Sequence, residues 1–407
     1  MIRLGIIGFG GYGWSLVRTI EKHSARLNCR LVAAADTRMS ELPERSVHLL
    51  QEAVALSDDA LCLFDSMQQQ MDAVYIATGI GSHMPLTVAA ARRGYHVHLE
   101  KPPAGTVQEV DAMRKALADH GRLCLVGFQA VHKADVGELK RRICQGSFGR
   151  IRSLSCWAAW PRGAGYYARN DWAGRLQSGR TWVLDGPASN ALAHQITNML
   201  LLASDEEGLA DPVAVRAELY AAGAVDSHDT AAIEIKTAQG PEIHFLATHR
   251  CEGYHNPLIT IEAEKARIEW DFNRGATIHH SDGRVETLPG DNANQHGNMV
   301  ENFIQAVRNE DPAILRCSLD EARKMVLALN GAHESSRRIH RIGPEYLTEE
   351  GPDPDFRNIR QISEILQAAA EAHCLPSDLP QPPGWAVATQ PFVLKDYHTF
   401  PDRFTAD

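Results

Sequence analysis

Gly8-Phe9-Gly10-Gly11-Tyr12-Gly13 stands directly behind the apolar run Leu4-Gly5-Ile6-Ile7, and no other feature limits this chain as much. A strand that ends in this glycine spacing and opens a helix makes a cradle for a dinucleotide pyrophosphate. Gly8 permits the tight turn, Gly10 lets backbone approach the phosphates, and Gly13 lets helix and strand pack closely. The motif alone is weak, because glycine-rich turns are common. Arg30 to Ala35 reads as a second strand that ends in Asp36. That places an acid about 20 residues past the last glycine, where an adenosine ribose would be held.

The chain has 407 residues, more than one ordinary core, so at least two domains are expected. Its 44% hydrophobic and 23% charged content is that of a globular protein. A net charge of −10 and the lack of a basic stripe argue against nucleic acid as a partner. Eight cysteines are scattered with no CxxC pair, so neither a disulfide framework nor a zinc site is expected. No apolar stretch approaches the roughly 18 residues of a membrane span. The cytoplasm is the expected compartment.

Strand and helix signals alternate through about 130 residues, the pattern of βαβ units around a parallel sheet. Strands are expected at Ala73–Ala77, Tyr95–Leu99 and Leu123–Phe128, with helices near His83–Arg93, Thr106–Asp119 and Val136–Cys144. Past Gly146 the period changes to two, as in Val213, Val215, Ala217 and Leu219, or Ile268 and Trp270. Asp282-Gly283 marks a hairpin turn. The fold class is therefore α/β with a parallel sheet, followed by an α+β domain with a mostly antiparallel open sheet. The expected domains are 1–130, 131–342 and a tail, 343–407, with one amphipathic helix from Asp355 to His373 and a proline-rich extended stretch. Adjacent His279 and His280 on a strand point to opposite faces, so no metal site is expected.

Glu100-Lys101-Pro102 lies at the carboxyl end of an expected parallel strand, the edge where open α/β sheets bind ligands. A lysine shielded there would shuttle a proton or polarise a carbonyl. Tyr166 to Arg175 crowds aromatic and hydrogen-bonding groups into a loop. Tyr167, Arg169, Asn170 and Trp172 are candidates for a pocket that takes a hydroxylated ring.

The glycine turn, Asp36, Thr78–His83, Glu100-Lys101-Pro102 and Val126-Gly127-Phe128-Gln129 occur together, in order. In this set the chain resembles the glucose–fructose oxidoreductase / inositol dehydrogenase family over about residues 1–340. The resemblance implies a Rossmann domain, then an α/β domain whose open sheet makes a homo-oligomer contact. It implies NAD or NADP bound through Gly8, Phe9, Gly10, Gly11, Tyr12, Gly13, Asp36, Thr37, Arg38, Thr78, His83, Glu100, Lys101 and Gln129. It also implies sugars, polyols or related hydroxy compounds as substrates, and a catalytic role for Lys101.

The family's second motif, an acid four residues before a histidine, maps onto Ser189 to His194. His194 is present, but Asn190 stands where the acid belongs. Residues four apart share a helix face, so Asn190 and His194 are expected to project together as substrate contacts. Asparagine cannot accept a proton as a base. Proton transfer then falls to His194, Lys101 or both, and Asp185 is a possible replacement carboxylate.

Asp36 accepts both ribose hydroxyls and repels a 2′-phosphate, so NAD is favoured over NADP, with Arg38 the group that would grip that phosphate. The expected reaction is hydride transfer between nicotinamide and the hydroxyl carbon of a sugar, polyol or related compound. Two alternatives stay open: a glycosidase or lyase that uses tightly bound NAD without net turnover, and a noncatalytic dinucleotide or sugar sensor.

Overall fold

The computed structural model describes residues 1–348 and 356–406. The chain forms two compact units. The first contains Met1–Ala104, Gln108–His132 and Ala293–Arg323; the second contains Gly105–Val107, Lys133–Asn292 and the chain from Lys324 on.

The first unit is a six-stranded parallel sheet of β1 (Ile2–Ile7), β2 (Cys29–Ala35), β3 (Ala55–Ser57), β4 (Ala73–Ile76), β5 (His96–Leu99) and β6 (Cys124–Val126). Their spatial order, β3-β2-β1-β4-β5-β6, reverses direction between β1 and β4. That is the Rossmann order, with its crevice at the carboxyl ends of β1 and β4. The strands are short and apolar because both faces are covered. One cover is Gly11–Leu27, which buries Leu16, Val17 and Ile20. Another comes from far along the sequence: Gln295–Asn309 places Met299, Val300, Phe303 and Ile304 in the same core. Each such side chain contributes roughly 1.5–3 kcal/mol by leaving water.

The second unit is built on a ten-stranded mixed sheet. Its first strand is β7 (Ile151–Ala159), followed by a small separate hairpin of β8 (Gln177–Ser178) and β9 (Thr181–Trp182). The large sheet continues with β10 (Pro212–Ala221), β11 (Thr230–Thr237), β12 (Glu242–Thr248), β13 (His255–Ala263), β14 (Ala266–Asp271), β15 (Gly275–His280) and β16 (Val285–Pro289). Two short strands, β17 (His340–Arg341) and β18 (Phe392–Val393), complete it. The order is β16-β15-β14-β13-β7-β12-β11-β10-β17, with β18 also on β10. Most pairs are antiparallel, but β7 runs parallel to β12, and β10 to β17. The Asp282-Gly283 turn is present, with Gly283 at φ +87°.

The tail helix is shorter than the sequence suggests. Asp355 lies outside the described residues, and the helix runs only Ile362–Glu371. Gln361, at φ +57°, stops it from starting earlier, and Ile359 instead donates its N–H to the Arg250 carbonyl. Ile362, Leu366, Ala369 and Ala370 pack with Ala159, Tyr220, Ala232 and Leu246 of the sheet. Farther on, the Glu334 carboxylate accepts the N–H groups of Asp402, Arg403 and Phe404.

Candidate functional site

The glycine turn has the steric logic its spacing suggests. Gly8 is at φ +82°, and a Cβ there would lie 2.6 Å from the Ala77 carbonyl oxygen. A Cβ on Gly13 would lie 1.9 Å from the carbonyl oxygen of Gly8, so the helix approaches the strand closer than any side chain allows. Gly10 caps this helix without a side-chain hydrogen bond, and no acid lies in its first turn. The helix start therefore offers N–H groups and the positive dipole end to an anion.

Asp36 ends β2 and organises the turn. Its Oδ2 accepts the N–H groups of Phe9 and Gly10, both at 3.0 Å, and Oδ1 accepts that of Arg38 at 2.9 Å. Beside it is a cavity of about 430 Å³ whose lining includes Gly8, Asp36, Thr37, Asp58, Asp59 and Thr78. Three carboxylates and no cation among these lining residues make the cavity unfavourable for a 2′-phosphate. Arg38 lies beside Gly10 instead, its Nη2 3.7 Å from where a Cβ would be. Asp58 and Asp59 were not evident from the sequence. They enter through the turn after β3, a strand of only three residues.

The remaining candidates of this unit sit at strand ends. His83 is fully buried, its ring nitrogens 3.0 Å from the Pro102 carbonyl and 3.1 Å from that of Thr78. Burial holds its pKa below the ordinary value. It thus serves as a clasp between the β4 and β5 loops. Lys101 follows β5, half-buried. Glu100 is buried, and burial pushes its carboxyl up to about 7, with nearby Lys101 opposing. A Cβ on Gly127 would lie 2.6 Å from Glu100 Oε1, which explains the glycine after β6. Gln129 opens the short helical turn Gln129–His132.

In the second unit the candidates gather around one acid. Asp185, 2% exposed, accepts the Gly174 N–H at 2.7 Å and the Asn190 Nδ2 amide at 2.8 Å, with Arg169 3.6 Å away. A carboxylate therefore stands one hydrogen bond from position 190. The shared helix face expected for Asn190 and His194 is absent. Pro187–Ala191 forms a wide π-type turn, Leu192 leaves the helical region at φ −116°, and a new helix runs Ala193–Leu202. The π-type turn is closed by the Leu192 N–H on the Pro187 carbonyl, which breaks the four-residue register.

The aromatic loop is also assembled, with one exception. The Arg169 guanidinium lies 3.7 Å from the Tyr166 ring centre and 5.3 Å from that of Trp172. The Tyr167 hydroxyl is 3.1 Å from His249 Nδ1. Asn170 turns inward, and its Oδ1 accepts the N–H groups of Trp172 and Ala173. It shapes the loop. His249, Arg250 and Arg162, none of them apparent from the sequence, adjoin these rings. Among the described residues no group of side chains fits a metal ion, and no helix is long and apolar enough to cross a membrane.

Residues 2–128 match the oxidoreductase family with an NAD-binding Rossmann fold. The chain is 30% identical over 161 residues to inositol 2-dehydrogenase 4 of Saccharopolyspora erythraea, covering 38% of this chain and 44% of that protein. It is 24% identical over 156 residues to glycosyl hydrolase family 109 protein 2 of Phocaeicola vulgatus, 37% of each chain. It thus spans less than half the length of these curated relatives. The WlbA dehydrogenase of Bordetella pertussis, solved with NADH and UDP-GlcNAcA, shares the fold at TM-score 0.66 and 22% identity, over 83% of this chain and 96% of that one.

Proposed function

We propose that the chain belongs to the glucose–fructose oxidoreductase / inositol dehydrogenase family, whose NAD-binding Rossmann domain its residues 2–128 match, and that it is an NAD-dependent dehydrogenase acting on the hydroxyl carbon of a sugar, polyol or related compound. The observation that carries this reading is the Gly8–Gly13 turn braced by Asp36, beside a cavity lined with carboxylates. The residues present fit the dinucleotide: an uncapped helix start for its pyrophosphate, Asp36 for its ribose, and the strand-end loops of Thr78 and Lys101 for its remaining half. When bound, NAD supplies the hydride acceptor.

The chain's own residues then manage the hydroxyl proton and the substrate's orientation. Lys101 takes the catalytic role, as the cation that stabilises the developing alkoxide or shuttles its proton. His194 is the second proton-handling group. Asn190, its amide fixed by Asp185, contacts a substrate hydroxyl and takes no proton itself. Tyr167, Arg169 and Trp172 line the substrate's surroundings. The protein acts in the cytoplasm, where its eight unpaired cysteines suit a reducing compartment. It assembles as a homo-oligomer through the second sheet and binds no nucleic acid.

A panel of sugars and polyols with NAD and NADP, read at the nicotinamide absorbance band, tests the reading. The native protein turns over with NAD, while Lys101→Ala and His194→Ala each lose at least about 100-fold in kcat and keep NAD affinity. Full turnover in both variants would refute the assignment. The likeness to a glycosyl hydrolase favours a second reading, hydrolysis with retained NAD. Product formation without added nucleotide distinguishes it.

A further inference from the structure

The second unit holds a cluster of guanidinium groups of which the dehydrogenase reading uses only Arg169. It arises from the parallel pairing of β7 with β12, whose two carboxyl ends leave the sheet side by side. The Trp160 N–H donates to the Thr248 carbonyl at 3.0 Å, and that of Arg162 to the His249 carbonyl at 3.2 Å. Arg162, His249 and Arg250 are thereby fixed together, just past the carboxyl ends of these two strands.

Arg169 joins them from the aromatic loop. Tyr166 carries the Arg169 guanidinium at 3.7 Å and that of Arg162 at 4.8 Å, while Arg250 lies 4.9 Å from the Phe356 ring. All three arginines act electrostatically on His249. A guanidinium stacked on a ring keeps its N–H edge available in its own plane, the geometry that grips a carboxylate through two hydrogen bonds.

The charges do not balance. Arg169 is offset by Asp185 at 3.6 Å, and Arg250 by Asp229 at 3.7 Å. Asp229 is further held by the Gly223 N–H at 2.7 Å. Among the described residues Arg162 forms no ion pair, and its buried Nε has no hydrogen-bond partner. His249 Nε2 and Arg250 Nε and Nη1 also have none, on side chains only 1% exposed. Buried donors of this kind are costly unless something accepts from them.

We propose that this cluster recognises a carboxylate on the substrate, so that the enzyme acts on a polyhydroxylated monocarboxylic acid, a sugar acid, with Arg162 as its main charge partner. The inference rests on the dehydrogenase reading and names its substrate class. Among the described residues one cation of the cluster lacks a carboxylate, which matches one negative charge. A phosphate dianion would leave the site with excess negative charge, and a neutral polyol would leave Arg162 unanswered.

Matched pairs test it: D-gluconate against D-glucitol, D-glucuronate against D-glucose, and D-glucose 6-phosphate as the dianion. Initial rates with NAD are combined with calorimetry of each compound on the NADH-loaded protein. The acids are expected to exceed their neutral partners about 10-fold or more in kcat/KM. Arg162→Gln raises KM for the acids about 10- to 100-fold, changes kcat little and collapses the preference, while Arg162→Lys recovers part of it. A neutral or phosphorylated compound preferred over the acids would overturn the proposal. So would an Arg162→Gln variant that lowers kcat equally for acids and neutral partners. If none of the compounds reduces NAD, the dehydrogenase reading fails, and calorimetry still decides this inference. Acid binding weakened by Arg162→Gln upholds it, and no acid binding in the native protein sinks it.

Discussion

The two candidate sites are made from different materials. In the first unit the glycine turn is a backbone device: its shape depends on where no Cβ can stand, and its hydrogen bonds run from main-chain N–H groups to Asp36. In the second unit the cluster around Asp185, Tyr166 and His249 is a side-chain device, held by cation–π contacts and buried charge. A backbone site binds what every dinucleotide shares, and few substitutions retune it. A side-chain site sets selectivity by which charges it leaves unpaired.

The largest effect is expected where the backbone device is most crowded. Gly13→Ala forces a Cβ to within 1.9 Å of the Gly8 carbonyl oxygen, so the helix start must shift. NAD affinity by calorimetry falls at least about 100-fold, with overpacking costs of roughly 1–3 kcal/mol or more in stability. Native affinity in this variant would break the steric account. In the second unit, Asp185→Asn leaves one oxygen to accept from Gly174 or Asn190 but not both, sets an NH2 against the other donor, and leaves Arg169 without its carboxylate. Denaturant unfolding is expected to show a loss of about 3 kcal/mol, and unchanged stability would contradict the structural weight given to this acid.

A pH effect separates the units next. Burial pushes the Glu100 carboxyl from its ordinary 4.5 up to about 7, with Lys101 opposing. Between those values the folded protein keeps a proton that the unfolded chain has lost. Stability therefore declines as pH rises through this window, by about 2–3 kcal/mol. Glu100→Gln should flatten that slope in thermal melts at pH 5 and pH 8, and an unaltered slope would show that Glu100 is not its source. The smallest effect belongs to Gly11→Ala. Gly11 is at φ +45° with nothing within 4 Å of its Cβ position, so only a left-handed backbone cost of about 1 kcal/mol is expected. NAD affinity should stay within about threefold of native.

What could be read in advance follows the same division. Gly8, Gly13 and Asp36 were legible because their geometry is local: a turn, a helix start and the next strand end. The companion role of Gly127 was hidden, because it depends on the Glu100 carboxylate of the adjacent strand. The helix Gln295–Asn309 covers the first sheet from far along the sequence, and nothing local announces that partnership. Arg162, His249 and Arg250 could not be found, since only the parallel register of β7 and β12 brings them together. An α-helical period would put Asn190 and His194 on one face, but a π-type turn that no local residue pattern announces interrupts it. The sequence offers Asp185 only as a replacement acid. Its 2.8 Å bond to Asn190 needs the turn at Leu184, whose φ is +48°.

The central claim is that Lys101 handles the hydroxyl proton of an NAD-dependent oxidation, and single-turnover reduction of bound NAD tests it most directly. Mixing the NAD-loaded protein with the most active compound of the panel should reduce the nicotinamide. Lys101→Met should bind NAD and substrate within a few-fold of native yet slow that step by about 10³-fold or more. An equal rate in the variant, or no nicotinamide reduction in the native protein, would contradict the account.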